Sequence, residues 1–138
     1  MKVGLDTSVV LRLLLGQPPE QTAAATLYLD ELYRRGDQAV VSDLVVSETY
    51  FALQYHYQIT KSAALKALAA LLATGEISPT GQAGKVLTQS GLATAKPGFV
   101  DRLIHATYRE NGGAMVTFEK SGQKLTGVMV LKPLSKLP

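Results

Sequence analysis

Residues 2–15 read KVGLDTSVVLRLLL, and the change of rhythm inside that stretch decides the fold. Residues 2–6 (KVGLD) have the length of a short buried strand and keep their only acid at the far end. Residues 7–15 are apolar at six of nine positions and are stopped by Gly16, Pro18 and Pro19, the way a helix is stopped. The same alternation then runs outward along the chain. Residues 20–35 have helical periodicity, with Ala24, Leu27 and Leu32 on one stripe and Gly36 closing it. The spacing predicts further strands over 38–42, 76–78, 114–118 and 128–131, and helices over 43–57, 62–74, 83–92 and from Pro97–Gly98 to about Asn111. Short apolar strands separated by helices imply parallel βαβ units, hence an α/β fold of three layers with a central parallel sheet flanked by helices.

The chain has 138 residues, 46% hydrophobic and 18% charged, which suits one domain spanning 1–138 with a substantial core. It contains no cysteine, which excludes a disulfide scaffold, a thiolate zinc site and a cysteine nucleophile. Lys2 follows Met1 at once, and Asp6 and Arg12 interrupt the first apolar run, so the start does not read as a signal peptide. No stretch approaches the ~20 apolar residues of a membrane span. The expectation is a soluble, cytoplasmic protein.

Net charge is +3, a total that conceals an uneven distribution. Residues 1–59 carry four basic and seven acidic groups; residues 60–138 carry ten basic and four acidic. Two readings stay open: surface charge scattered by chance, or an acidic centre framed by a basic surface and suited to an anionic substrate.

In an open parallel sheet, ligands bind beyond the carboxyl ends of the strands. Asp6, Asp43 and Glu119 follow predicted strands, Glu48 lies just over a helical turn after Asp43, and Asp101 sits near the start of the late helix. Asp6 reads either as a helix cap or as a functional acid that its apolar surroundings make hard to hydrate. Asp43, after Ser42, is better explained as an N-cap. Glu48 has Leu44, Val45, Phe51 and Ala52 as its helical neighbours, so it is expected on an apolar stripe, buried and in need of a cation. Asp101 and His105 share a helix face, where His105 reads as a partly buried histidine or a partner of Asp101. With His56 the only other histidine, zinc is disfavoured. The sequence has no glycine-rich phosphate loop, no G-x-S-x-G and no H-E-x-x-H. An oxygen-rich acidic site of the kind magnesium or manganese prefers is what remains.

The succession VGLDTSVV (3–10), VVSETYFAL (45–53), GFVDRLIHA (98–106) and MVTFEK (115–120) resembles the PIN-domain family, in particular the VapC-like ribonuclease toxins of type II toxin–antitoxin modules. The resemblance spans nearly the whole chain, with the motifs in the family's order. It implies a Mg²⁺- or Mn²⁺-dependent endoribonuclease with Asp6, Glu48, Asp101 and Glu119 as catalytic acids. Asp6 and Asp101 would be the direct metal ligands, and Thr7, Ser8 and Thr117 would support them by hydrogen bonds. Glu119 stands where the family usually has aspartate, one methylene shorter. RNA would be held by Lys96, Arg102, Arg109, Lys120 and Lys124. The resemblance also implies a homodimer and a VapB-like antitoxin, for which Tyr28, Leu32, Tyr50, Tyr55 and Tyr57 are either groove or core. The alternative is a PIN-like module that binds RNA or an antitoxin with little catalysis.

Overall fold

The sheet is assembled on Gln38–Val41 (QAVV), whose Ala39 and Val41 are each 2% exposed because strands lie on both sides of it. The computed structural model describes residues 1–138. In chain order its elements are β1 (Lys2–Gly4), α1 (Thr7–Leu15), α2 (Pro19–Arg34), β2 (Gln38–Val41), α3 (Asp43–Tyr55), α4 (Lys61–Ala73), β3 (Ile77–Pro79), α5 (Ala83–Leu87), α6 (Phe99–Glu110), β4 (Met115–Thr117) and β5 (Val128–Val130). A 3-10 turn, Lys120–Lys124, lies between the last two strands. This is the α/β architecture read from the sequence, a parallel sheet flanked by helices. No helix is long and apolar enough to cross a membrane.

Local chemistry sets the element ends. Gly16 takes the left-handed conformation (φ 71°) that a residue with a Cβ adopts only with strain, and its N–H donates to the Arg12 carbonyl to close α1. Pro19 opens α2, where a missing N–H is harmless. Ser42 and Thr60 cap α3 and α4, their hydroxyls accepting from the backbone N–H of Val45 and Ala63, each at 3.2 Å. The predicted helix over 83–92 is one short segment, Ala83–Leu87.

β1 pairs with β2 in parallel with Val3 opposite Ala39, and β2 pairs with β3 with Ala39 opposite Ile77. Pro79 is tolerated because β3 is an edge strand. The core is built from Val10, Leu32, Val46, Leu53, Leu68, Ile77 and Phe99, all 2% exposed or less. Phe99 anchors the start of α6 by packing edge-on against Tyr50, with ring centroids 5.0 Å apart at 74°.

All five predicted strands form, but the central sheet is divided. β1, β2 and β3 make one parallel sheet, and β4 and β5 a second parallel pair with Met115 opposite Val128. Periodicity specifies which residues are strands, not which strand edges meet. Here β4 and β5 are held beside α6: His105 Nε2 lies 2.7 Å from the Thr126 carbonyl oxygen, and the Arg109 guanidinium donates to the Gly113 carbonyl at 3.2 Å. The 3-10 turn closes over one face of the pair at buried Gly122, where a Cβ would come within 2.8 Å of the Thr117 methyl.

Truncating the anchor, Phe99→Ala, is expected to lower unfolding stability by about 3–5 kcal/mol, measured by urea denaturation, because it empties the contact with Tyr50 that the rest of α6 depends on.

Candidate active site at the strand exits

Parallel register brings the carboxyl ends of β1 and β2 to one edge, and the chain places acids just beyond them. Asp6 occupies the N-cap position of α1 with extended backbone, yet its side chain makes no capping hydrogen bond. The Ser8 hydroxyl instead donates to Asp6 Oδ2 at 3.1 Å. The Thr7 hydroxyl donates to Glu48 Oε1 at 3.5 Å, the outer limit of a hydrogen bond, so the start of α1 and the middle of α3 face one another here. Asp6 is exposed, which corrects the expectation that its apolar neighbours keep water away.

Glu48 is also exposed, and the stripe it was assigned to is not the buried one. Val46, Thr49, Tyr50 and Leu53 face the core, whereas Leu44 is 70% and Phe51 43% exposed. The helix is apolar nearly all round, so counting three and four residues from Glu48 does not reveal which side is inside. What sequence reasoning missed is the consequence: Leu44, Phe51 and Tyr55 form an apolar surface, with Phe51 and Tyr55 stacked at 6.2 Å.

Asp43 does not cap its own helix, since Ser42 does. Its carboxylate reaches across the chain to accept from the backbone N–H of Gln82 at 3.0 Å and of Ala83 at 2.9 Å, satisfying the first donors of α5. Gly81 is required beside it, because a Cβ there would collide with the Asp43 carboxylate. Asp43 is therefore structural, by a long-range contact no local signal announces.

The other two acids lie together. Asp101, exposed in the first turn of α6, and Glu119, exposed after β4, line one cavity of about 170 Å³ with Thr117. The Thr117 hydroxyl accepts from the Glu119 backbone N–H at 3.1 Å. His105 is turned to Thr126 and makes no hydrogen bond to Asp101, correcting its reading as that residue's partner. No three acids or histidines stand close enough to hold one metal ion.

Lys96, Arg109, Lys120 and Lys124 are exposed, and none of the chain's ion pairs involves them. Arg102 is half-buried and committed to the fold, donating to the Pro97 carbonyl at 2.7 Å and to Gln89 at 3.3 Å. Of the aromatic and apolar groove candidates, Leu32 and Tyr50 are core, while Tyr28, Tyr55 and Tyr57 reach the surface.

The PIN-domain model matches residues 3–127. The chain belongs to the PIN-domain family. No curated protein matches it. PIN domains are usually nucleases and commonly use divalent metals, so membership carries an activity on nucleic acid as its general class of function. In this PIN domain the donors suit such an ion by chemistry, being carboxylate and hydroxyl oxygens with no sulfur among them. By position, Thr7 links the start of α1 to Glu48, and Asp101 and Glu119 line one cavity.

Removing the Asp43 carboxylate (Asp43→Ala) is expected to lower stability by about 0.5–2 kcal/mol, the range for losing a helix cap, as read from the shift of a urea midpoint.

Proposed function

We propose that this PIN domain is an endoribonuclease that requires Mg²⁺ or Mn²⁺, the toxin half of a VapC-like toxin–antitoxin pair, acting in the cytoplasm as a homodimer restrained by a VapB-like antitoxin. The observation that carries the reading is Asp6. It stands beyond the carboxyl end of a parallel strand, exposed, with its side chain spared from capping. Asp6 and Asp101 are the proposed ligands of the cation, whose chemistry is to offset carboxylate repulsion and the charge that develops on a phosphodiester. Glu48 and Glu119 would orient water beside them, and Ser8, Thr7 and Thr117 hold carboxylates or backbone in place. RNA phosphates would meet the unpaired cations Lys96, Arg109, Lys120 and Lys124, with Arg102 positioning the start of α6.

The experiment is cleavage of structured RNA with Mg²⁺ or Mn²⁺. Cleavage is expected to stop with EDTA and to fall by about 10²-fold or more in Asp6→Asn. Full activity in Asp6→Asn would remove the proposed site. A second reading, a catalytically weak RNA- or antitoxin-binding module, is favoured by the glutamate at 119 and by the lack of three acids close enough to hold one ion. Tight RNA binding without metal-stimulated cleavage would establish it.

RNA affinity is expected to weaken uniformly across sequences in Lys120→Ala and Lys124→Ala. Each substitution should reduce the slope of log affinity against log salt by about 0.7–1, read by titration at several salt concentrations.

A further inference from the structure

The β4–β5 pair has two unlike faces. Met115, Thr117, Val128 and Val130 are half-buried, and the 3-10 turn closes over the last three. A Cβ at Gly122 would come within 2.8 Å of Thr117, 3.2 Å of Val128 and 3.9 Å of Val130. The residues between them alternate to the other side. There Val116 is 58%, Phe118 66%, Met129 62% and Leu131 40% exposed. Val116 lies opposite Met129 in the register, and the Leu131 N–H donates to the Thr117 carbonyl at 2.8 Å. Phe118 and Leu131 therefore continue the ladder side by side, and the outward face is a small apolar surface with one aromatic ring on it.

Of the three phenylalanines, Phe118 alone has a free ring. Phe99 packs on Tyr50 in the core and Phe51 stacks on Tyr55, whereas no aromatic pair of the molecule includes Phe118. The bend that carries the ring is fixed at both ends. The Thr117 hydroxyl accepts from the Glu119 N–H at 3.1 Å, and the Glu119 carbonyl accepts from the Gly122 N–H at 3.0 Å. Glu119, the next residue, lines the cavity of about 170 Å³ with Asp101, and Val116 contributes to the same lining. The apolar face and the acidic cavity are thus contiguous.

Charge decides what such a face can receive. Glu119 is the last acidic residue of the chain: residues 120–138 hold Lys120, Lys124, Lys132 and Lys136 and no acidic side chain. All four lysines are exposed, and none takes part in an ion pair. Lys120 lies two residues after Phe118, and Lys132 directly follows Leu131 on the neighbouring strand, so cations bracket the ring from both strands. A ring between ammonium groups matches a nucleotide, which presents a flat π-face between two phosphates. Inside a duplex that π-face is already stacked on its neighbours, and only an unpaired base can lie on a side chain. Four apolar side chains also fall far short of the roughly 20–30 residues a side that a stable protein interface uses.

We propose that this face seats an unpaired nucleotide of the RNA substrate: its base stacks on Phe118 beside Leu131, and Lys120 and Lys132 hold the phosphates on either side of it. The inference rests on the nuclease reading for the identity of the substrate and narrows its class to RNA read at a loop or single-stranded stretch. Every base has a π-face, so Phe118 selects unpaired structure and not sequence. It is a positioning residue, because a base held beside the cavity sets which phosphate reaches Asp101 and Glu119.

The chain has no tryptophan, so Phe118→Trp places a single indole on the face. With EDTA present, a hairpin RNA with an unpaired loop is expected to quench that indole on binding, and a blunt, fully paired duplex is not. Phe118→Ala is expected to weaken hairpin binding by about tenfold or more and to leave duplex binding unchanged, while Phe118→Trp keeps the wild-type affinity. The ring is exposed, so both variants are expected to keep the wild-type urea midpoint, which separates lost stacking from lost fold. Wild-type hairpin affinity in Phe118→Ala, or an indole that stays unquenched while the hairpin is bound, would overturn the proposal. If Phe118→Ala keeps its RNA affinity but changes the solution mass, the face is a protein contact and the proposal falls.

Failure of the nuclease reading looks different. Quenching and the Phe118→Ala loss without metal-stimulated cleavage keep the stacking site and remove the nuclease. Cleavage by wild type and Phe118→Ala alike, at equal KM, keeps the nuclease and removes the stacking site. A wild-type protein that binds no RNA removes both.

Discussion

The parallel hydrogen-bonded register of β1 on β2 and of β2 on β3 is the constraint on which the rest of the molecule depends. It buries Ala39 and Val41 between two neighbours, sets the helices against the sheet, and aligns the strand exits at one edge. Because each strand leaves that edge directly into a helix or turn, the residues beyond it are polar without interrupting the core. Asp6 and Asp43 both arise this way, and they diverge in use. Asp43 is consumed by the backbone donors of α5, whereas Asp6 keeps its carboxylate facing water with Ser8 as its only side-chain partner.

The second constraint is the anchoring of α6. Its first half is buried through Phe99 and Leu103, and its second half carries β4 and β5 through His105 and Arg109. The helix and the strand pair it carries therefore place Asp101 and Glu119 about one cavity.

The elements were legible in the residues to a good degree, because strand and helix differ in period and because Gly16, Ser42, Thr60 and Pro19 punctuate them locally. Burial was less legible wherever an element is apolar on several faces. Glu48 sits among Leu44 and Phe51, and the pattern alone made it a buried carboxylate; the fold turns that face outward. Asp43 was read as the cap of its own helix, a place Ser42 takes; its partners lie about forty residues away and no local spacing encodes them.

The sequence by itself determined the α/β class, the positions of the strands, the family, and an oxygen-donor inventory free of sulfur. Those properties follow from period, local capping chemistry and residue type, all of which act over a few neighbours. Only the tertiary structure decided which strand edges are left open, which carboxylates stand together, and which are spent on backbone donors. These depend on contacts between segments far apart in the chain, where the same apolar strand can pair on either edge and the same acid can cap a helix or face water.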